Sequence, residues 1–289
     1  MSLNSVNTNS GAMIALQSLN RTNSQLAMTQ KQISTGYRVA DATDDGAAYA
    51  VAQSVRSTVG ALTSANQQLG TVQGLLSTTQ SSLNDVSNTM SKMRDVLVKL
   101  SDSNVSGTQR TQYISQYTSL TANVKSFIQD AGYNGKTLIG NVTGSSGTFA
   151  RVATVRNESG ASYGIATFGG SALLASITFT STALAGAATV AGYLAAAVGA
   201  TAAGVFISAM NTVGTGLNTV GSEVNYVNNQ ISYNSNKVDA LNTGLGSMVD
   251  ADLAKESAAL QSLQIRQQLG TQALSMANQA PQTLLSLFK

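Results

Sequence analysis

The sequence offers few side chains that could carry out chemistry. It contains no Cys and no His, which excludes disulfides, thiolate zinc sites and every catalytic arrangement that uses an imidazole. Carboxylates, lysines, tyrosines and hydroxyl groups remain, and no motif brings them together as a hydrolase would need. We therefore predict that the chain is not an enzyme and has no cofactor.

An acidic stretch imitates the start of a calcium-binding loop. Asp41, Thr43 and Asp45 occupy positions one, three and five of such a loop. The twelfth position, which requires a bidentate Glu, is Ala52. The sequence therefore predicts a solvated turn without metal, with Thr43 or Asp44 capping the helix that follows.

A second stretch looks superficially like a phosphate-binding loop. It contains Gly135, Lys136 and Thr137, but Asp130 stands where the first glycine is required, and no buried strand precedes it. We predict a polar turn that ends a helix.

The composition argues against nucleic acid and for dense packing. Sixteen basic and thirteen acidic residues are scattered along the chain, so nucleic acid is not expected as a partner. Charged residues make up 10% of the chain, against about 25% in average domains. A neutral polar surface suits the packing of identical copies. The N-terminus has no secretory signal pattern, so export would need another route.

The strongest pattern lies between Ala48 and Leu100, where apolar residues recur at alternating spacings of three and four. This period places them on one stripe of a helix, which must pack against another helix with a matching stripe. A helix of this length spans roughly 80 Å, so we expect an elongated molecule. The seam that we expect comprises Leu62, Leu69, Leu76, Leu83, Met90 and Leu97.

A matching stripe begins at Phe206 and ends at Met248. Asn234 is its one polar member, and two interpretations are open: a buried Asn that fixes the register of the helices, or a locally wet position. The seam residues expected on this side are Val224, Ile231, Asn234, Val238 and Leu241.

The middle of the chain changes character. A helix with its apolar stripe from Tyr113 to Ala131 should fold back on the first long helix. Rough alternation over 149–168 predicts a β-hairpin. The uncharged segment 183–210 is long enough to span a bilayer, but small residues dominate it and it lacks basic flanks, so we predict a packed segment without membrane insertion.

Both ends of the chain carry loose apolar stripes that are too polar to fold alone, since isolated helices are marginal in water. We expect residues 1–35 and 251–289 to become ordered by pairing with each other and with neighbouring molecules, which predicts polymerisation. The residues expected to drive it are Leu16, Leu19, Leu26, Ile33, Leu253, Leu260, Leu263, Leu274, Leu284, Leu287 and Phe288.

Three of these stretches resemble bacterial flagellin, above all the short alphaproteobacterial members of the family. They are the N-terminal block 7–57, the segment GYNGKTLI at 132–139 and the C-terminal block 248–289. The resemblance agrees with a mainly α fold: an elongated antiparallel coiled-coil or helical bundle built from both chain ends, with a small β-hairpin outer region.

The resemblance also implies an organisation and a function. Residues 1–42 and 251–289 would form a terminal coiled-coil core lining the filament lumen. Residues 43–140 and 205–250 would form an inner helical domain, and residues 141–204 would face outward. The chain would be an extracellular subunit of the flagellar filament for swimming motility. Its partners would be further copies of itself, the flagellar type III export apparatus and a chaperone, and the filament cap and hook-filament junction proteins.

Two alternatives to a filament subunit stay open at this point. A hook-filament junction protein shares the helical ends of flagellin, although the similarity over 278–288 favours flagellin. A membrane-active secreted protein would insert residues 183–210.

One family motif is degenerate in this chain. The segment sensed by the Toll-like receptor for flagellin reads Gln-Arg-Val-Arg-Glu-Leu in the family, and 91–96 is the matching run here. Arg94 is retained, whereas Lys92 and Val96 replace an Arg and a Leu. Because Lys lacks the bidentate guanidinium, we expect poor activation of this receptor.

Overall fold

The computed structural model describes residues 8–140, 142–195 and 204–286, with backbone only for 280–286. Helices dominate these residues, which confirms the predicted mainly α fold. The described part contains α1 (Ser10–Thr35), α2 (Gly46–Leu100), α3 (Gly107–Gln129), α4 (Gly170–Ile177), α5 (Ser181–Ala185), α6 (Ala187–Leu194), α7 (Val205–Val249) and α8 (Leu253–Ser286).

Five short strands lie between α3 and α4. They are β1 (Gly132–Tyr133), β2 (Lys136–Thr137), β3 (Thr148–Phe149), β4 (Ala153–Val155) and β5 (Ser162–Gly164). β2 pairs with β1 antiparallel and with β3 parallel. Asn134 and Gly135, with φ of 49° and 72°, form the turn between β1 and β2, and both residue types tolerate that left-handed backbone. β4 and β5 form the predicted antiparallel hairpin.

The chain divides into two compact units. The terminal unit comprises Met1–Val59 and Asp239–Lys289, and the central unit comprises Gly60–Val238. The division falls within α2 and within α7, so each long helix contributes to both units.

In the central unit, α2 and α7 run antiparallel, as side-chain bonds between them indicate. The amide of Gln73 donates to Asn228 at 2.6 Å, and the amide of Asn66 donates to Ser235 at 3.3 Å. Every seam residue predicted on α2 from Leu62 to Leu97 has an exposed fraction of 0%. The heptad period therefore located the buried face of this part of α2, because a 3.5-residue repeat keeps one stripe against a partner, whereas Val51 at the start of the predicted stripe is 48% exposed.

The third helix completes the core of the central unit. Tyr117, Val124 and Ile128 of α3 are buried in the same apolar cluster as the α2 seam. The hydroxyl of Tyr117 donates to the carbonyl of Ile177 at 2.7 Å, so this buried phenol has a partner.

Arg110 fastens the start of α3. Its guanidinium donates to the carbonyls of Leu100, Asp102, Val105 and Leu184 at 2.8 to 3.1 Å. These bonds join the turn after α2 to the end of α5, and they use the planar donor fork that only Arg provides.

The apolar segment 183–210 is broken in the described residues. α5 ends at Ala185, α6 occupies Ala187–Leu194 and α7 begins at Val205, while 196–203 lie outside the description. Among the described helices, none has the length and apolarity needed to cross a membrane.

Candidate assembly surface

The terminal unit is built on an antiparallel pair of helices, α1 and α8. The amide of Asn9 donates to the carbonyl of Ala277 at 2.7 Å, and the amide of Gln267 donates to Asn23 at 2.8 Å. Between these bonds, a Cβ added to Gly270 would lie 3.3 Å from Leu19 Cδ1. The glycine therefore allows the two helices to approach closely at this level.

Local signals in the sequence define the ends of α1. The Asn9 side chain accepts a hydrogen bond from the Ala12 amide at 3.1 Å and so caps the first turn. Gly36 ends the helix with φ of 74°, and its amide donates to the carbonyl of Gln32, the usual glycine ending of a helix.

The loop between α1 and α2 is held by a cluster of ion pairs. The ammonium of Lys31 contacts Asp41 at 2.7 Å and Asp44 at 2.9 Å. These bonds hold the pKa of both carboxyls below the usual range and raise that of Lys31. Within the described residues, no group of three or more acidic side chains is arranged to bind a metal.

The cap of α2 is Asp45, whose carboxylate accepts from the Ala47 and Ala48 amides at 3.1 and 3.0 Å. The expected cap, Thr43 or Asp44, was wrong. Asp44 instead accepts from the Ala40 and Asp41 amides at 3.0 and 3.2 Å and binds Lys31, so its carboxylate is already used within the loop.

Backbone bonds join this loop to the end of α7. Tyr37 and Asp250 form an antiparallel bridge. The Arg38 amide donates to the carbonyl of Val249 at 2.7 Å, and Val249 is buried with Val39 and Ala52 in a small cluster. The terminal unit therefore has a core of its own at this point.

Away from that cluster, the helix pair leaves large apolar side chains in solvent. Ile14 is 68% exposed on α1, and Ile265 and Met276 are 58% and 65% exposed on α8. Such exposure is high for apolar side chains and marks a surface for another protein when residues lie together. The assembly face, as we define it, comprises Met13, Ile14, Leu16, Met28, Leu253, Ile265, Leu269 and Met276.

The predicted polymerisation residues fall into four groups. Leu16 and Leu253 belong to the assembly face, whereas Leu263 is buried at 8% exposure. Leu287 and Phe288 lie outside the described residues, as does the side chain of Leu284. Those that are partly buried are Leu19, Leu26, Ile33, Leu260 and Leu274.

Sequence reasoning missed much of the assembly face. Ile14, Ile265 and Leu269 lie off the single stripe that was traced on each terminal helix. A second apolar stripe on the same helix was the available signal, since a helix that pairs on one side and assembles on another needs both.

The structure also decides between the two interpretations of Asn234, the polar member of the central seam. Asn234 is 0% exposed. Its amide donates to Asn66 Oδ1 at 2.9 Å and to the carbonyl of Arg156 at 3.0 Å, and its oxygen accepts from Gln230 at 3.0 Å. The side chain thus joins α2, α7 and the β4–β5 hairpin, and the position is buried and fully bonded, not wet. The other seam residues on this side, Val224, Ile231, Val238 and Leu241, are partly buried.

The degenerate receptor motif lies on α2. Lys92 and Arg94 are exposed, whereas Val96 is only 2% exposed and belongs to the core of the central unit. The motif therefore presents its polar and charged members to solvent, while Met93 and Val96 are buried.

Comparison with known proteins gives the same family at both ends of the chain. The sequence profile of the bacterial flagellin N-terminal helical region matches residues 6–143, and that of the C-terminal helical region matches residues 204–288. Flagellin FljM of Caulobacter vibrioides is 33% identical, with all of both chains covered. The flagellin of Brucella melitensis is also 33% identical, with 99% of each chain covered.

A solved structure is similar in fold. It is a putative flagellar hook-associated protein from Vibrio parahaemolyticus, with a TM-score of 0.58 and 15% identity, covering 72% of this chain and all of that one. This likeness speaks for the fold alone, whereas the full-length relatives favour a filament subunit over a junction protein. The chain belongs to the bacterial flagellin family, and it is a structural subunit of the flagellar filament and not an enzyme.

Proposed function

We propose that the assembly face of α1 and α8 is the surface through which copies of this flagellin join in the filament. The family implies a polymer of many copies with a flagellar, extracellular location. The observation that carries the proposal is the exposure of Ile14, Ile265 and Met276 on helices that already pair with each other. Burying these side chains against a second copy would remove apolar area from water, at about 25 cal/mol for each Å².

Paired substitutions test this proposal. Ile14→Ser with Ile265→Ser removes two exposed apolar groups, and Gln17→Ser with Gln268→Ser is the matched control at exposed polar positions of the same helices. We expect seeded filaments, seen by electron microscopy, from the control and only monomers from the first variant. Normal filaments from the isoleucine variant, at unchanged subunit concentration, would refute the proposal.

We also propose the domain placement expected for the family. Residues 1–42 with 251–289 would line the filament lumen, 43–140 with 205–250 would form the inner helical layer, and 141–204 would face outward. A helical reconstruction of the filament tests this placement, and terminal helices on the outer surface would contradict it.

Beyond further copies of the chain, we propose these partners: the export apparatus, a chaperone, the filament cap and the hook-filament junction proteins. These proposals rest on membership of the family. Retention of the chain inside cells that lack a working flagellar export apparatus would support the first of them, and undiminished release from such cells would contradict it.

Poor activation of the flagellin-sensing Toll-like receptor is a further proposal. Lys92 offers no guanidinium, and Val96 is turned into the chain's own core. Reporter cells should respond less to this chain than to a motif-bearing flagellin, and Lys92→Arg should raise the response. An equal response to the unmodified chain would contradict the proposal.

A further inference from the structure

Within the central unit, a stripe of polar side chains on α7 holds the β4–β5 hairpin against this helix. At one end, the ammonium of Lys237 forms an ion pair with Glu158 in the hairpin turn. About one and two turns along the helix, Asn234 and Gln230 both donate to the carbonyl of Arg156. The hairpin is therefore docked on α7 by side chains at regular helical spacing.

The other end of this stripe is an ionisable group that is almost completely buried. Glu223 is 6% exposed, and its Oε1 accepts from the Ala166 amide, just after β5, at 2.7 Å. Its Oε2 is buried without a hydrogen-bond partner in the described residues. One oxygen thus holds the end of the hairpin, while the other lacks the bonds that a buried carboxylate needs.

The groups around Glu223 leave its charge incompletely compensated. Arg151, which precedes β4, attracts the carboxylate electrostatically. Tyr163 of β5 and Tyr226 of α7 stack with their ring centroids 4.1 Å apart, and Tyr163 interacts with Glu223. Lys237, which forms the ion pair with Glu158 of the hairpin turn, is fourteen residues from Glu223 along α7. Burial outweighs the Ala166 bond and Arg151, so that the pKa of Glu223 is raised.

We propose that Glu223 makes the docking of the β4–β5 hairpin proton-linked: uptake of a proton by this carboxyl holds the end of β5 more firmly on α7, and its loss loosens the contact. The sign follows from linkage. A carboxyl whose pKa is raised on folding contributes stability that is complete below its unfolded pKa and lost as the pH rises through the raised value. Acidification therefore tightens the hairpin. This inference is independent of the assembly face.

The test is a pH titration of the dilute, monomeric full-length chain by NMR. We expect the Ala166 amide shift to titrate with a midpoint above the ordinary glutamate value of about 4.3. Its hydrogen-exchange protection should fall, as the pH rises, by up to about tenfold for each unit that the pKa is raised. In Glu223→Gln, which cannot ionise, both responses should disappear.

Glu158→Gln is the matched control, since it removes the carboxyl of the hairpin turn and should leave the Ala166 titration in place. The side-chain carboxyl carbon of Glu223 in the unmodified chain gives a second readout that needs no variant, and it should titrate at the same midpoint as Ala166. A flat Ala166 response, a response that persists in Glu223→Gln, or a Glu223 midpoint at or below the ordinary value would overturn the proposal.

Discussion

The central and terminal units differ in what they do with their apolar side chains. In the central unit, Leu76, Leu83 and Met90 of α2 are completely buried against other elements of the same unit. In the terminal unit, α1 and α8 pair along their length, yet Ile14 and Met276 remain mostly exposed. The same residue types at helical spacing thus give a closed core in one unit and an open surface in the other.

The difference indicates separate roles for the two units: the central unit stabilises the folded chain, and the terminal unit leaves a surface for assembly. The central unit buries a continuous apolar core that is formed by residues of its helices and of the hairpin, and burial of this kind is the main stabilising contribution to folding. The terminal helices keep apolar area available, and further copies of the chain are the partners that the family provides. The assembly face is therefore expected to matter little to the monomer and greatly to the filament.

Truncating a buried leucine should give the largest effect on the monomer. Leu76→Ala removes a completely buried side chain and should lower the free energy of unfolding by about 3 kcal/mol, from lost burial and the cavity left behind. Leu16→Ala, at a position 48% exposed, should cost less than about 1 kcal/mol. Urea unfolding of both variants measures the two free-energy losses, and equal losses would contradict the difference between the central and terminal units.

Removing the hydrogen bonds of the buried Asn234 side chain should have the next largest effect on the free energy of unfolding. Asn234→Ala removes the donor to Asn66 Oδ1, the acceptor of the Gln230 amide and one of the two amides that donate to the carbonyl of Arg156, at a cost of about 2 kcal/mol. Asn225→Ala, at an exposed position of the same helix, should be nearly neutral. An unchanged free energy of unfolding in Asn234→Ala would mean that these hydrogen bonds do not stabilise the central unit.

Two glycine substitutions should change the stability of the central unit by smaller amounts and in opposite directions. No atom lies within 4 Å of a Cβ added to Gly70, so Gly70→Ala should stabilise α2 by up to about 1 kcal/mol through helix propensity. A Cβ at Gly170 would lie 2.9 Å from methyl groups of Ile128 and Ile139, so Gly170→Ala should destabilise the central unit. Thermal unfolding gives the sign of each change, and opposite signs to these would contradict the packing described.

The ion cluster of the terminal unit should give the smallest effect, because it is partly exposed to solvent. Lys31 lowers the pKa of Asp41 and Asp44. Their contribution to stability is therefore present above the unfolded pKa of an aspartate, about 3.9, and is lost as the pH falls below it. Exchange protection of the Ala40 amide, which donates to Asp44, should show this loss in the unmodified chain and a smaller loss in Lys31→Met, where only the backbone amides still lower the pKa of Asp44.

Periodicity predicted the parts of this molecule that depend on one buried stripe. The α2 seam, the return of α3 and the β4–β5 hairpin all follow from patterns in contiguous sequence. The partners of Asn234 did not, because Asn66 and Arg156 come from distant parts of the chain, and the sequence left a buried and a wet position equally open. The assembly face was only partly found, since Ile14 and Ile265 lie on a second stripe that becomes visible once the pairing of α1 with α8 is known.

Methionine oxidation tests the central claim most directly, because the chain carries its own controls. Met13, Met28 and Met276 are 54% to 65% exposed in the terminal unit, whereas Met90 and Met93 are completely buried in the central unit. Peroxide treatment followed by mass spectrometry should oxidise the first set rapidly in monomers and much more slowly in filaments, with Met90 and Met93 slow in both. Equal reactivity of Met13, Met28 and Met276 in monomer and filament would contradict the account.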